Sequence, residues 1–231
     1  MRCNAKLLAI DTSSVACTVA ASNGDAVVER HVERPREHTR LLMPMIREVL
    51  NESEIALTDL DAIVLGNGPG SFIGMRIAAS VSQGLAHGAG LKIIPVSSLA
   101  AVAAEVLDAS DAELVAVAQD AHMNEVYLGL YSRGEDNLPQ PITNEYLQGQ
   151  SVIESLSGRD QTFTIAGQGW QRYPELAIIN AQWIGEQSEV FYPRAAWLLT
   201  LSDTATAIEP RDIQPAYLRQ KVAELPRMRA S

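Results

Sequence analysis

The chain of 231 residues is poor in cysteine and in basic side chains. Cys3 and Cys17 are its only cysteines and show no repeating spacing, which argues against a disulfide framework and predicts a reduced, cytoplasmic protein. The chain has eighteen Lys and Arg residues and twenty-eight Asp and Glu residues, which gives a net charge of −10. Because nucleic-acid backbones are bound by clustered Lys and Arg, this balance argues against RNA binding by the chain alone. A partner would have to supply those contacts.

Long apolar runs and metal-ligand spacings are also missing. No continuous apolar stretch of the sequence is as long as a membrane-spanning helix. The apolar run after Lys6 reaches Asp11 too soon for a signal peptide, so it predicts a retained first strand. The four histidines lack the spacing of a metal site, and each is interpreted as a surface or hydrogen-bonded side chain. They are His31, His38, His87 and His122.

The sequence contains two hairpin patterns with the same layout. Apolar segments at residues 7–10 and 16–21 flank an Asp and a short turn, and the Asn-Gly of "SNGD" predicts a tight turn into a third strand at 26–32. Residues 114–132 repeat the order of strand, Asp, turn and strand. We therefore predict a duplicated α/β half-domain, with lobes of residues 1–109 and 110–231. The alternative is that two unrelated hairpins of an α/β protein look alike by chance.

A glycine-rich segment, "GNGPGSFIGMR" at residues 66–76, lies between a predicted strand at 63–66 and a predicted helix at 74–86. It lacks the Gly-Lys-Ser/Thr of a P-loop, and neither Gly66 nor Gly68 begins a G-x-G-x-x-G fingerprint. One interpretation is a structural turn in which Gly74 lets the helix start close to the sheet. The other is an anion site at the helix N-terminus, with Ser71 as a candidate binding residue.

Six segments together resemble the TsaB family, also called YeaZ. They are "LLAIDTSS", "PREHTRLLMPMI", "GNGPGSFIGMRIAASVSQGLA", "PVSSL", "QDAHMNEVY" and "AYLR", and they span almost the whole chain. The resemblance implies an α/β protein with the actin-like ATPase fold (ASKHA, ribonuclease H-like) in two lobes. It also implies a non-catalytic scaffold that pairs with TsaD and with the ATPase TsaE. TsaD transfers threonylcarbamoyl to adenosine 37 of tRNAs that read ANN codons.

The resemblance further implies a homodimer when TsaD is absent, and contact with tRNA only through the complex. The resemblance matches two metal-binding histidines of TsaD to Ser98 and Val102 of this chain. Neither a hydroxyl nor an apolar side chain replaces an imidazole ligand. The turns that would hold ATP phosphates start at Asp11 and Asp120 and contain no glycine. Both carboxylates are candidates to orient Mg²⁺ through water, and turn or cap residues are the alternative. We expect no catalytic residue, metal or cofactor here, and ATP or ADP only in complex with TsaD and TsaE.

A predicted helix at residues 36–51 has an apolar arc of roughly 180°, which Met43 widens to about 200°, whereas a helix that faces one core needs about 100°. The surplus suggests a second apolar partner, and burial between two core layers is the alternative. Pro44 should kink the helix if Thr39 is its N-cap. The resemblance places the partner surface on this helix and on the one after the glycine-rich segment. The predicted contacts are Leu41, Leu42, Met45, Ile46, Val49, Arg76, Val81 and Leu85.

The C-terminal segment is basic in an acidic chain. Its cations are Arg211, Arg219, Lys221, Arg227 and Arg229. A solvated tail is the default for such a segment, and contact with tRNA or with an acidic partner is the alternative.

Two rival functions stay open: a small actin-like kinase that binds nucleotide by itself, and a peptidase of the glycoprotease type or its inactive homologue. Nucleotide binding by the isolated chain would favour the first, and a bound metal the second.

Overall fold

The first sheet is built from the N-terminal strands. In this computed structural model, which describes residues 5–24, 26–157 and 160–219, its strands are β1 (Lys6–Asp11), β2 (Ala16–Asn23), β3 (Ala26–Glu33), β4 (Ala62–Gly66) and β5 (Lys92–Val96). They lie in the spatial order β3-β2-β1-β4-β5. β1 pairs with β2 in antiparallel and with β4 in parallel orientation. The predicted first hairpin, strand 26–32 and strand 63–66 are all confirmed, with slightly longer strands.

The second sheet repeats this arrangement. Its strands are β6 (Leu114–Asp120), β7 (Glu125–Arg133), β8 (Pro139–Pro141), β9 (Tyr146–Gly149), β10 (Phe163–Ala166) and β11 (Ile184–Gln187). The order is β11-β10-β6-β7-β8, with β9 also paired to β7. β6 pairs with β7 in antiparallel and with β10 in parallel orientation, as β1 does with β2 and β4. Therefore β6 corresponds to β1 and β10 to β4. The predicted duplication of an α/β half-domain is confirmed at the level of topology.

The helices are α1 (His38–Glu52), α2 (Phe72–Ala89), α3 (Ser98–Ala109), α4 (Gln168–Arg172), α5 (Pro174–Ile179) and α6 (Ala195–Leu201). Four of them, α1, α2, α3 and α6, cover the two faces of the first sheet. Side chains alternate along β1, so Leu8 and Ile10 face α1 and α2, while Leu7 and Ala9 face α3 and α6. A strand buried on both faces needs apolar residues at successive positions, which explains the run "LLAI".

Helix α3 lies between the two sheets. Its Ala101 and Ala104 pack in the cluster of the first sheet, and its Leu99, Val102 and Val106 pack in a cluster with β6 and β7. We call the first sheet with α1, α2 and α6 the first lobe, and the second sheet with α4 and α5 the second lobe. Because α6 comes from the C-terminal part of the chain but packs on the first sheet, the lobes are not two consecutive pieces of sequence. A boundary near Ala109 stays a prediction.

The starts of α1 and α2 differ from the predicted ones. α1 begins at His38 after Glu37, so Thr39 is not its N-cap. Pro44 lies in its second turn and is exposed, as is Arg40, so water can bind the Arg40 carbonyl that loses its helical partner. α2 begins two residues before Gly74, because the Ser71 hydroxyl accepts a hydrogen bond from the Gly74 N–H (3.3 Å) and caps the helix.

The segment after α6 runs along the first lobe. Ile208 forms an isolated bridge with Ile93 on the edge strand β5, and the segment continues to Arg219 in contact with the protein. The prediction of a solvated tail is therefore wrong for residues 214–219, whereas Arg211, just upstream, is exposed. Lys221, Arg227 and Arg229 lie outside the described residues. Within the described part of the chain, no helix has the length and apolar character needed to cross a membrane.

Candidate functional site

Asp11 lies at the end of β1 and is wholly enclosed, with 0% of its surface exposed. Its Oδ1 accepts a hydrogen bond from the Ser13 backbone N–H (2.6 Å), and its Oδ2 accepts one from the Ser98 hydroxyl (2.6 Å). The Ser98 oxygen in turn accepts a bond from the Gly68 N–H (3.0 Å). Burial raises the pKa of Asp11, and the bonds from Ser98 and Ser13 oppose that rise. Asp11 thus ties its turn to the start of α3, and a cofactor role would require these bonds to break.

The glycine-rich segment packs directly on the turn after β1. A Cβ atom at Gly74 would lie 1.9 Å from the Thr12 carbonyl oxygen, and one at Gly70 would lie 2.2 Å from the Ser13 carbonyl oxygen. The Ser71 N–H donates to that Ser13 carbonyl (2.6 Å), and the Thr12 hydroxyl donates to the Gly74 carbonyl (2.7 Å). No side chain fits at these glycines. The interpretation as a structural turn that brings a helix close to the sheet is confirmed.

Asp120 ends β6 and borders a cleft between the lobes. Its Oδ1 accepts hydrogen bonds from the His122 backbone N–H (2.7 Å) and from the Tyr173 hydroxyl (2.8 Å). The His122 Nδ1 lies 3.3 Å from Oδ2, and 19% of the Asp120 side chain is exposed. Asp120 therefore caps its own turn while its side chain remains accessible from the cleft.

The cleft has a volume of about 470 Å³. Its walls are mostly hydroxyl, amide and apolar groups, with Arg36 as a cation from the segment before α1. His38 also borders it, and its Nε2 lies 3.0 Å from the Ser14 carbonyl oxygen, as expected for a hydrogen-bonded histidine. Of the three cofactor candidates, the cleft brings Ser71 and Asp120 together, while Asp11 lies outside its walls. Most of the accessible surface of the cleft is apolar.

The positions expected to lack metal ligands are integrated into the core. Val102 is fully buried, and the Ser98 hydroxyl is hydrogen-bonded to Asp11 and Gly68. Among the residues the structure describes, no three His, Cys, Asp or Glu side chains come together as a metal site. The role of Ser98 as the partner of Asp11 was missed by sequence reasoning, which considered this serine only as a replacement for histidine.

Most of the predicted partner residues of α1 belong to the core of the first lobe. Leu42, Met45, Ile46 and Val49 are each at most 4% exposed within the chain itself. They pack with residues of β1, β2 and β4, and Leu41 is half-buried against the same cluster. The prediction that Leu42, Met45, Ile46 and Val49 contact another subunit is wrong. The sheet below α1 and the helix α2 beside it already fill its wide apolar arc.

Helix α2, in contrast, has an outer face that the chain covers only in part. Ile73 is 70% exposed, Val81 and Leu85 are half-buried, and Arg76 is exposed. Positions 73, 77, 81 and 85 follow each other at one helical turn. This spacing was a readable signal for Ile73, which sequence reasoning missed.

Small residues flatten the same face of α2. A Cβ atom added at Gly84 or at Gly88 would meet nothing within 4 Å. Arg76 is also the only Asp, Glu, Lys or Arg among the 18 residues of this helix. A surface helix normally carries several charges on its outer side, so an outer side with a single arginine indicates a candidate interface.

Comparisons with known proteins now decide the family. A family model described as TsaD, tRNA N6-adenosine threonylcarbamoyltransferase, matches residues 31–223. The tRNA threonylcarbamoyladenosine biosynthesis protein TsaB of Escherichia coli is 37% identical, over 94% of this chain and 96% of that protein. The chain belongs to the TsaB family. The TsaB protein of Haemophilus influenzae is 35% identical, over 95% of each chain.

Solved TsaB-type structures have the same fold. YeaZ from Pseudomonas aeruginosa superposes with a TM-score of 0.80 at 32% identity and covers 93% of this chain and 100% of its own. A second Pseudomonas aeruginosa protein, described as uncharacterized with similarity to peptidase YeaZ, gives a TM-score of 0.83 at 33% identity with the same coverage. The actin-like two-lobed fold is thereby confirmed, and relatives in this family are named for threonylcarbamoyladenosine biosynthesis on tRNA.

Proposed function

We propose that this chain is the non-catalytic subunit that holds and activates TsaD, together with TsaE, for threonylcarbamoyl transfer to adenosine 37 of tRNAs reading ANN codons. The observation that carries this proposal is the exposed face of α2, which begins at Ile73 and has Arg76 as its one Asp, Glu, Lys or Arg, in a protein with a net charge of −10. The names of the TsaB relatives give the pathway. The acidic balance supports contact with tRNA only through partners.

The partner surface consists of Ile73, Arg76, Val81 and Leu85 on α2, with the half-buried Leu41 of α1 at its margin. Gly84 and Gly88 leave this face flat, so another helix can approach the backbone of α2 closely. TsaD is the occupant in the working complex, and a second copy of the chain covers the face when TsaD is absent. The complex works in the cytoplasm, where tRNA is modified.

The site chemistry supports a structural role for the first turn. The glycine-rich segment packs closely against the Thr12 and Ser13 carbonyls, and both oxygens of Asp11 accept hydrogen bonds from within the chain. We therefore propose that the chain needs no metal or cofactor of its own, and that ATP or ADP acts only in the assembly with TsaD and TsaE.

Gly84→Glu tests the partner surface without damaging the core. The new side chain enters open space, and replacing a helical glycine raises the free energy of unfolding by up to about 1 kcal/mol. We expect it to place a charge under the partner helix and to lower TsaD affinity by roughly 100-fold. Binding is measured by calorimetry with purified TsaD, and activity by reconstituted tRNA modification.

Two matched variants control this experiment. Gly84→Ala has a similar gain in helix propensity without the charge and should bind TsaD more tightly than Gly84→Glu. Ile178→Glu changes an exposed apolar residue of the second lobe (68% exposed) and should bind like the unaltered chain. Full TsaD binding and full tRNA modification by Gly84→Glu would contradict the proposed surface.

An independent kinase is the second candidate, because the cleft is large enough for a small ligand and has Asp120 at its border. Titration of the isolated chain with ATP and Mg²⁺ distinguishes the two functions. Heat of binding that Asp120→Asn abolishes would favour the kinase, whereas the scaffold proposal predicts no binding. Metal analysis of the purified protein tests the peptidase alternative in the same way.

A further inference from the structure

The C-terminal segment 208–219 is attached along one side of the first lobe. Ile208 exchanges two backbone hydrogen bonds with Ile93 (2.8 and 3.0 Å), which adds it to the edge of the first sheet. The Asn67 side-chain amide then donates to the Gln214 carbonyl (3.1 Å), and the Asn67 backbone carbonyl accepts a hydrogen bond from the Ala216 N–H (3.3 Å). The segment thus passes from β5 to the glycine-rich segment.

Tyr217 fixes the segment to the start of α2. Its hydroxyl accepts a hydrogen bond from the Arg76 Nε (2.9 Å), and its ring lies 5.2 Å from that of Phe72, centre to centre. The Arg76 guanidinium also lies 3.8 Å above the Phe72 ring. Three side chains from two distant parts of the chain therefore form one exposed cluster.

The next residues cross to the second lobe. Leu218 packs against the apolar cluster of β6 and β7. Arg219 donates to the Ala121 carbonyl (2.9 Å) and pairs with the Glu125 carboxylate (2.5 Å), so it binds both ends of the turn between these strands. Its side chain also borders a small cavity between this turn and the glycine-rich segment.

The turn that Arg219 binds has an unfavourable backbone. His122, Met123 and Asn124 have φ values of 60°, 54° and 62°, so three successive non-glycine residues adopt the left-handed conformation. Such residues persist only where the surroundings hold them. Arg219 supplies part of that restraint, because it binds carbonyl and carboxylate groups on both sides of the three residues.

We propose that residues 208–219 are a latch that fixes the angle between the two lobes and holds the turn at residues 121–125 in its left-handed form. Helix α3 lies between the lobes, and the chain crosses between them again from β11 to α6. The latch adds a further connection at a different place, from Ile93 and Arg76 on the first lobe to Glu125 on the second. A further connection at a separate place restrains the opening and closing of the lobes.

Arg219→Ala tests the latch in the full-length chain. A Cys3→Ser background carries spin labels at Thr58→Cys on the first lobe and Glu186→Cys on the second, both exposed positions, and the buried Cys17 stays unlabelled. The unaltered latch should give one narrow distribution of distances between the labels. Arg219→Ala should broaden it, and amide exchange at residues 121–125 should become roughly tenfold faster.

Two further variants keep the test decisive. Arg211→Ala removes an exposed arginine of the same segment and should match the parent chain in both measurements. Glu125→Gln keeps the size of the side chain but removes the ion pair, so it should shift both measurements in the same direction as Arg219→Ala by a smaller amount. If Arg219→Ala and Glu125→Gln both retain the narrow distance distribution and slow exchange at 121–125, the latch proposal is overturned.

Discussion

Asp11 and Asp120 occupy the same place in the two lobes, each at the end of the first strand of an antiparallel hairpin, yet their surroundings differ. Asp11 is fully enclosed and bonded to Ser98 of α3. Asp120 is partly exposed, bonded to Tyr173 and bordering the cleft. The repeated topology therefore fixes the positions of the two carboxylates and leaves their environments open.

The difference comes from where a glycine segment meets each hairpin. In the first lobe, Gly70 and Gly74 approach the turn after Asp11. In the second lobe, a Cβ atom at Gly167 would lie 2.3 Å from the Ala118 carbonyl oxygen, two residues before Asp120. The second contact stops short of the turn, so the Asp120 side chain stays accessible. A shift of a few residues in such a contact decides whether a lobe has an enclosed or an accessible carboxylate.

The largest expected effect comes from breaking the close contact of the first lobe. Gly74→Ala places a methyl group against a backbone oxygen that cannot move independently, so it should lower the free energy of unfolding by about 3 kcal/mol. Gly84→Ala, in the same helix but in open space, should raise it by up to about 1 kcal/mol. Urea unfolding followed by circular dichroism measures both, and changes of the same sign would contradict the packing argument.

A smaller effect compares the partners of the two carboxylates. Ser98→Ala leaves the buried Oδ2 of Asp11 without a donor and should cost about 2 kcal/mol of unfolding free energy. Tyr173→Phe removes a donor to Asp120, which keeps the His122 N–H and access to water, and should cost less than about 1 kcal/mol. Equal losses in the same unfolding assay would mean that the two environments do not differ as described.

The smallest effect is a pH dependence. Burial raises the pKa of Asp11 above its ordinary value of 3.8, so the folded state binds more protons than the unfolded state between 3.8 and the folded pKa. Stability should fall as pH rises through that window, by at most about 1.4 kcal/mol per pH unit, and stay lower above it. Asp11→Asn should flatten this part of the curve of unfolding free energy against pH.

The second lobe offers a counterpart for this measurement. Burial also raises the pKa of Glu145 above 4.5, while hydrogen bonds from Ser97 and Tyr131 oppose the rise. Glu145→Gln should flatten the curve less than Asp11→Asn, because Glu145 is half-buried and Asp11 is enclosed. An Asp11→Asn curve as steep as that of the unaltered chain would contradict the assigned cause.

Local patterns in the sequence predict the hairpins and their duplication, because alternating burial and the Asn-Gly turn act over a few residues. The apolar arc of α1 led to a wrong prediction of a contact with another subunit, and the reason is physical. A wide arc shows that more than one neighbour is needed, but not whether the neighbours belong to the same chain. Here both neighbours, the first sheet and α2, belong to the same chain, and Leu42 and Met45 lie in the core of the first lobe.

The bond between Ser98 and Asp11 and the path of residues 208–219 could not be predicted in the same way. Both depend on single side chains that are far apart in sequence, such as Arg76 with Tyr217 and Arg219 with Glu125. No periodicity marks such pairs. The basic residues of this segment favour solvent or tRNA as its surroundings, whereas its contacts come from single residues such as Tyr217 and Arg219.

Synthesis on the ribosome delivers the parts of the first lobe far apart in time. Its strands are among the first residues made, but Leu198 and Leu199 of α6, which cover the side of the sheet formed by Leu7 and Ala9, emerge only after the second lobe. During that interval one apolar side of the sheet stays incompletely covered, and such surfaces aggregate or recruit chaperones. A ribosome stalled before α6 should therefore hold a nascent chain that needs protection.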